Sequence, residues 1–117
     1  MHTIILDTSF LITAMKDKVD MFAEFERICA FPYTLKTIDK TLDELKGKPF
    51  EKLILALLER FNVGIVKTSR QGHTDDLIVN LKQKDLIIAT QDQALKKRLS
   101  TPIITIRQKK YLQLQGL

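Results

Sequence analysis

Three short aliphatic runs constrain this chain more than any other feature: TIIL (residues 3–6), LIIA (86–89) and PIITI (102–106). Each is short for a buried helix, and none alternates strictly between apolar and polar residues. Such runs read as strands buried on both faces. Strands covered on two sides belong to parallel sheets, whose neighbours are joined by long crossovers, usually helical. The intervening segments supply those helices. In VDMFAEFERICAF, Val19, Phe22, Phe25 and Ile28 recur at helical spacing, and Pro32 closes the segment. IDKTLDELKG sets Ile38, Leu42 and Leu45 on one face, with Gly47 as its C-cap. Pro49 suits the first turn of the apolar helix PFEKLILALLERF, and Thr74 reads as the N-cap of DDLIVNLKQK. QDQALKKRL is a last helical stretch, while YTLKT and VGIV add two strands. The order β-α-α-β-α-α-β-α-β-α-β predicts an α/β fold. Its expected form is a three-layer α/β/α sandwich around a central, mostly parallel five-stranded sheet.

At 117 residues the chain is expected to form one domain, 1–117, with a core that needs no disulfide or metal staple. No repeat or Gly/Ser linker divides it. No apolar run approaches the ~20 residues of a membrane span. The opening MHTIILDTSF lacks a basic n-region, so no secretory leader is expected. Cys29 is the single cysteine, which excludes a disulfide framework and makes the cytoplasm the expected location, with no membrane partner. Its place in FAEFERICA suggests a core thiol. The net charge of +5 is localised: all 14 acids lie at or before Asp92, whereas Lys96, Lys97, Arg98, Arg107, Lys109 and Lys110 meet no acid after them. A basic C-terminal segment, about 96–117, favours a polyanion, although a merely solubilising tail has the same charge.

In parallel sheets ligands collect outside the carboxyl ends of the strands. Asp7 directly follows the first strand, and Thr90 and Asp92 follow LIIA in the same way. Asp75 and Asp76 open a helix, where the macrodipole favours negative charge. Glu44 lies near the end of the helix after the second strand, one residue before Leu45. Each acid alone has a plainer reading as a helix cap, early-turn charge or surface group. Together they could converge on one sheet edge, and clustered carboxylates call for a cation. Oxygen donors without His or Cys suit Mg²⁺ or Mn²⁺, which can activate water against a phosphodiester.

On these residues the chain resembles the PIN-domain ribonucleases. IILDTSFLI, TLDELKG, DDLIVNL and LIIATQDQALKKRL occur in the family's order and span residues 3 to about 107. VDMFAEFERI, ATQDQALKKRL and ITIRQKKYLQL look like the archaeal branch related to rRNA-processing endonucleases, and VapC-type toxins share the fold and the acids. The resemblance implies a Mg²⁺- or Mn²⁺-dependent endoribonuclease acting on single-stranded RNA, in rRNA processing or as the toxin of a toxin–antitoxin pair. It assigns Asp7, Glu44, Asp75 and Asp92 as catalytic acids and metal ligands. Asp76 is a reserve ligand, and Ser9 and Thr90 are polar supports. Lys96, Lys97, Arg98, Arg107, Lys109 and Lys110 would hold RNA, with Tyr111 a candidate stacking surface. An antitoxin protein and a second copy of the chain are the implied protein partners.

The alternative from another class is a non-catalytic PIN-like module that binds RNA or protein. Other enzymes with an acid after the first strand fit less well. A haloacid-dehalogenase-like phosphatase needs Asp where Ser9 stands, and a receiver domain needs an early acidic pair. His73, beside the acidic pair, reads as a loop surface residue, and His2 carries no signal.

Overall fold

The computed structural model describes residues 1–117. Six strands form one sheet in the order β3-β2-β1-β4-β5-β6. They are β1 (His2–Leu6), β2 (Tyr33–Ile38), β3 (Gly64–Val66), β4 (Leu86–Ala89), β5 (Ile103–Arg107) and β6 (Tyr111–Gln115). The first five run parallel, and β6 returns antiparallel to β5. The crossovers are α1 (Thr8–Lys16), α2 (Met21–Ile28), α3 (Asp39–Leu45), α4 (Glu51–Arg60), α5 (Thr74–Val79) and α6 (Gln93–Arg98).

Side chains of successive strand residues alternate between the two faces, and the core divides accordingly. Ile4, Leu6, Ile87, Ala89, Ile104 and Ile106 pack with Phe10, Leu11, Met21, Phe25, Leu45, Ile54 and Leu58 from α1–α4. Ile5, Leu86 and Ile88 point the other way, onto Ile78 of α5 and Leu95 of α6. The aliphatic runs are continuous because both faces are covered. The chain builds β2 and β3 on one side of β1, then crosses to place β4 on the other. The gap between the carboxyl ends of β1 and β4 is therefore the topological switch point, where open α/β sheets place their ligands. No helix is long and apolar enough to cross a membrane.

Several expectations change. The sheet has six strands rather than five, because YLQLQ forms β6. Its Leu112 and Leu114 face the main core cluster while Tyr111, Gln113 and Gln115 are exposed. Gln108 and Lys109 take positive φ (50° and 56°) in the connecting turn, as a tight primed hairpin turn requires. The basic segment 96–117 thus carries its charges on α6, β5, β6 and the turn between the last two strands.

The helix expected over 75–84 stops at Val79, with Asn80 as its C-cap. Thr74 is its first residue, not its cap; His73 holds the cap position, and the buried Thr74 hydroxyl has no partner. The helix expected to begin near Val19 begins at Met21, because Asp20 caps it by accepting from the Ala23 N–H at 3.2 Å. Cys29 lies just past that helix, half-buried against the core. Pro49 falls outside α4, whose N-cap, Phe50, has a left-handed backbone (φ 71°). Gly47, with φ 75°, follows α3 in the left-handed conformation favoured after a helix end.

The outer edge of β6 is closed by side chains. Leu112 donates its N–H to Glu24 Oε1 at 2.8 Å, and its carbonyl accepts from Arg27 Nη2 at 3.0 Å. Glu24 and Arg27 are themselves paired at 2.8 Å, one helical turn apart on α2.

Candidate active site

Registered pairing brings Leu6 beside Ala89, so the chain leaves β1 at Asp7 and β4 at Thr90 side by side. The Asp7 N–H extends the ladder to the Ala89 carbonyl at 2.9 Å. Asp7 occupies the N-cap position of α1, yet its side chain does not cap the helix. Its Oδ2 accepts instead from Thr90 Oγ1 at 2.7 Å and from Ser9 Oγ at 2.9 Å. Burial pushes the Asp7 carboxyl above the ordinary carboxylate range; the two hydroxyls oppose this shift, and the charge of Glu44 adds to it. A buried carboxylate with a like charge nearby costs stability, which argues for a role beyond capping.

The other acids approach from three directions. Glu44, on α3, accepts from Thr8 Oγ1 at 2.6 Å, so the first residue of α1 steers it towards Asp7. Asp92 is the N-cap of α6, and its Oδ1 accepts from the N–H groups of Ala94 (2.9 Å) and Leu95 (3.1 Å). Its other oxygen makes no protein hydrogen bond in this arrangement. Asp75 stands in the first turn of α5; burial raises its carboxyl, and the charges of Asp92, Asp7 and Glu44 raise it further, while Arg98 pulls it down. The topology agrees, because α5 follows β3, whose carboxyl end lies at the same sheet edge as those of β1 and β4. Asp76 pairs with Arg98 Nη2 at 2.8 Å, both side chains being about half exposed. No group of three or more His, Cys, Asp or Glu side chains stands close enough to hold a metal ion directly.

The six basic residues do not act alike. Arg98 is taken up by Asp76, Lys96 Nζ donates to Thr105 Oγ1 at 2.8 Å, and Arg107 donates to Gln113 at 2.8 Å. Lys97 is exposed on α6, and Lys109 and Lys110 are exposed on the β5–β6 turn. Because β5 runs parallel to β4, that turn rises at the carboxylate edge. Tyr111, at the start of β6, is 37% exposed beside it.

Two contributors have no mark in the sequence. Thr8, which orients Glu44, looks like any residue opening a helix. Asp39 begins α3 as a buried acid and accepts from Thr68 Oγ1 (2.6 Å), Thr68 N–H (2.9 Å) and Lys40 N–H (2.9 Å). Arg70 bridges Asp39 (3.5 Å) and Asp43 (3.3 Å), so the loop leading to Asp75 is tied to the helix bearing Glu44.

Burial pushes the Asp39 carboxyl up, but the Thr68 and Lys40 hydrogen bonds and the Arg70 charge hold it, on balance, below its ordinary 3.8. Such an acid binds its proton less tightly when folded than when unfolded. It therefore contributes stability above pH 3.8 that is lost as the pH falls through its lower folded-state value. Urea unfolding across this range is expected to show a shallower acid loss for Asp39→Asn than for the natural chain. Parallel curves would remove Asp39 from that linkage.

The fold and this edge of acids define a class that comparison also finds. The profile of the PIN like domain family matches residues 4–109, and the chain belongs to that family. Among curated proteins it is 30% identical over 131 aligned positions to ribonuclease VapC4 of Methanocaldococcus jannaschii, covering 100% of this chain and 99% of that protein. Among solved structures, the PIN domain endonuclease Utp24 superposes with a TM-score of 0.84 at 21% identity. That match covers 98% of this chain and 92% of the other, and is a likeness of fold.

Proposed function

We propose that the chain is a metal-dependent endoribonuclease that cuts single-stranded RNA. The observation that carries this reading is the buried Asp7 carboxylate at the β1/β4 switch point, held by the Thr90 and Ser9 hydroxyls, with Glu44 fixed by the adjoining Thr8 and Asp92 two residues after Thr90. Membership of the PIN-like family supports it, and similarity to a protein named as a ribonuclease supports RNA as the substrate. An all-oxygen donor set fits Mg²⁺ or Mn²⁺. No three of the acids stand close enough to hold an ion as they are placed, so the fit rests on the chemistry of the donor set.

Asp7 and Asp92 would hold the ion from the two strand ends, with Glu44 and Asp75 completing the site. A bound divalent ion supplies Lewis acidity that lowers the pKa of water and offsets charge building on the phosphodiester. The chain itself positions the acids. Thr90 and Ser9 fix one oxygen of Asp7, Thr8 aims Glu44, and the α6 N-cap leaves one oxygen of Asp92 free. Between rRNA processing and toxicity, the resemblance to VapC-type toxins, together with similarity to a protein named ribonuclease VapC4, leads us to favour a toxin paired with an antitoxin, and growth arrest on expression would support that choice.

The direct test incubates the protein with single-stranded RNA in Mn²⁺, Mg²⁺ or EDTA. Internal cleavage in a divalent ion and none in EDTA is the expected result. Equal binding in all three without cleavage would make the protein a binding module instead. Lys109→Ala with Lys110→Ala is expected to raise KM for RNA several-fold with kcat unchanged. Fluorescence anisotropy in EDTA should show the salt slope of binding reduced by about 0.7 for each RNA phosphate that a removed lysine had neutralised. An unchanged slope would place the RNA elsewhere.

A further inference from the structure

We propose that Gln91 is a positioning residue that holds the Asp92 carboxylate at the site, by pairing its side-chain amide with the backbone of β5. This rests on the nuclease reading above. The last registered β4–β5 pair is Ala89 with Ile104, and the Thr90 N–H reaches the Ile104 carbonyl at 3.1 Å. Beyond this point β4 ends, whereas β5 continues to Arg107. The main chain must leave the sheet here so that Asp92 can cap α6.

The Gln91 side chain takes the vacated rung. Its Oε1 accepts from the Ile106 N–H at 2.7 Å and from Thr105 Oγ1 at 2.8 Å, while its Nε2 donates to the Ile106 carbonyl at 3.3 Å. An amide that gives and takes with one backbone residue reproduces what a neighbouring strand would supply. The Gln91 backbone N–H meanwhile donates to Ser9 Oγ at 3.1 Å, and Ser9 donates to Asp7. One residue thus connects β5, the Asp7 hydroxyl network and, through its own peptide bonds, both Thr90 and Asp92. The Thr90–Asp92 turn is also tied by the Thr90 hydroxyl, which donates to Asp7 Oδ2 (2.7 Å) and accepts from the Asp92 N–H (3.1 Å). The Asp92 side-chain and carbonyl bonds to α6 tie it as well, but of the turn's side chains Gln91 alone reaches the β5 backbone. Residues that orient a reactive carboxylate at one remove control its geometry without touching substrate.

The test uses Gln91→Met, which keeps length but has no amide, and Gln91→Glu, which keeps the accepting oxygen. In metal-free protein, amide hydrogen exchange is read residue by residue. Gln91→Met is expected to accelerate exchange at positions 91–95 and at Ile106 by about tenfold or more, leaving Ile5 and Ile88 unchanged, with Gln91→Glu intermediate. In RNA cleavage, Gln91→Met is expected to lower kcat by roughly 10–100-fold with KM for RNA within about twofold of the natural chain. Exchange unchanged in Gln91→Met overturns the proposal, as does faster exchange with full kcat. A rise in KM alone would make Gln91 a substrate contact and also overturn it. Should the natural chain cut no RNA in either metal, the nuclease reading falls, while the exchange data still decide whether Gln91 fixes the Asp92 turn.

Discussion

Asp7→Asn is expected to lower metal-dependent RNA cleavage on the order of 10²–10³-fold while leaving the fold intact or firmer. The asparagine keeps a carbonyl oxygen for the Thr90 and Ser9 hydroxyls that now bond Asp7 Oδ2. It removes a charge whose burial is costly and whose neighbour, Glu44, repels it. The metal-free variant should therefore melt at the same temperature or higher. Activity lost while stability is kept is the behaviour of a group retained for chemistry rather than for folding. Retained cleavage would refute the role assigned to Asp7, and a collapse in melting temperature would make it structural.

The second large effect falls on stability. Phe10 lies on α1, is completely buried and stacks on Phe25 of α2 with ring centroids 6.0 Å apart. Phe10→Ala is expected to cost about 3–5 kcal/mol through lost transfer energy and the cavity left behind. That is a large share of the roughly 5–15 kcal/mol that holds a typical domain together. Urea unfolding should show a lower midpoint at an unchanged slope. Leu53→Ala, on the exposed side of α4, should change stability by no more than about 0.5 kcal/mol and serves as the control. A Phe10→Ala midpoint equal to that of the control would show that the α1–α2 contact does not anchor the core.

How much of the molecule is legible in its sequence depends on how far each signal extends along the chain. Strands β1, β4 and β5 announce themselves because burial on both faces leaves continuous aliphatic runs. Strand β6 does not: YLQLQ buries one face only, with two leucines to show for it, and it follows a basic turn that resembles a tail. The end of α5 is hidden because Leu81 continues the helical spacing, while its N–H already closes a short turn on Ile78 (3.1 Å). Asp7, Thr90 and Asp92 are visible because they closely follow strands. Glu44 and Asp75 need a family pattern to single them out. Gln91 cannot be read at all, since its importance lies in a rung shared with Ile106, fifteen residues on.

The clasp of Glu24 and Arg27 over Leu112 bears on behaviour in crowded solution. An open sheet edge is a template for fibril growth, and this one is stoppered at its last strand by a charged pair. The opposite edge, β3, is only three residues long and offers little to copy. Hydrogen bonding from Arg27 holds the Glu24 carboxyl below its ordinary value, so the stopper keeps its charge to a lower pH than an unpaired glutamate would. Once Glu24 takes up a proton, and more readily where salt screens the pair, its charge-assisted bond to the Leu112 N–H weakens and the stopper loosens. Acid with high salt is therefore where strand addition at this edge is expected first.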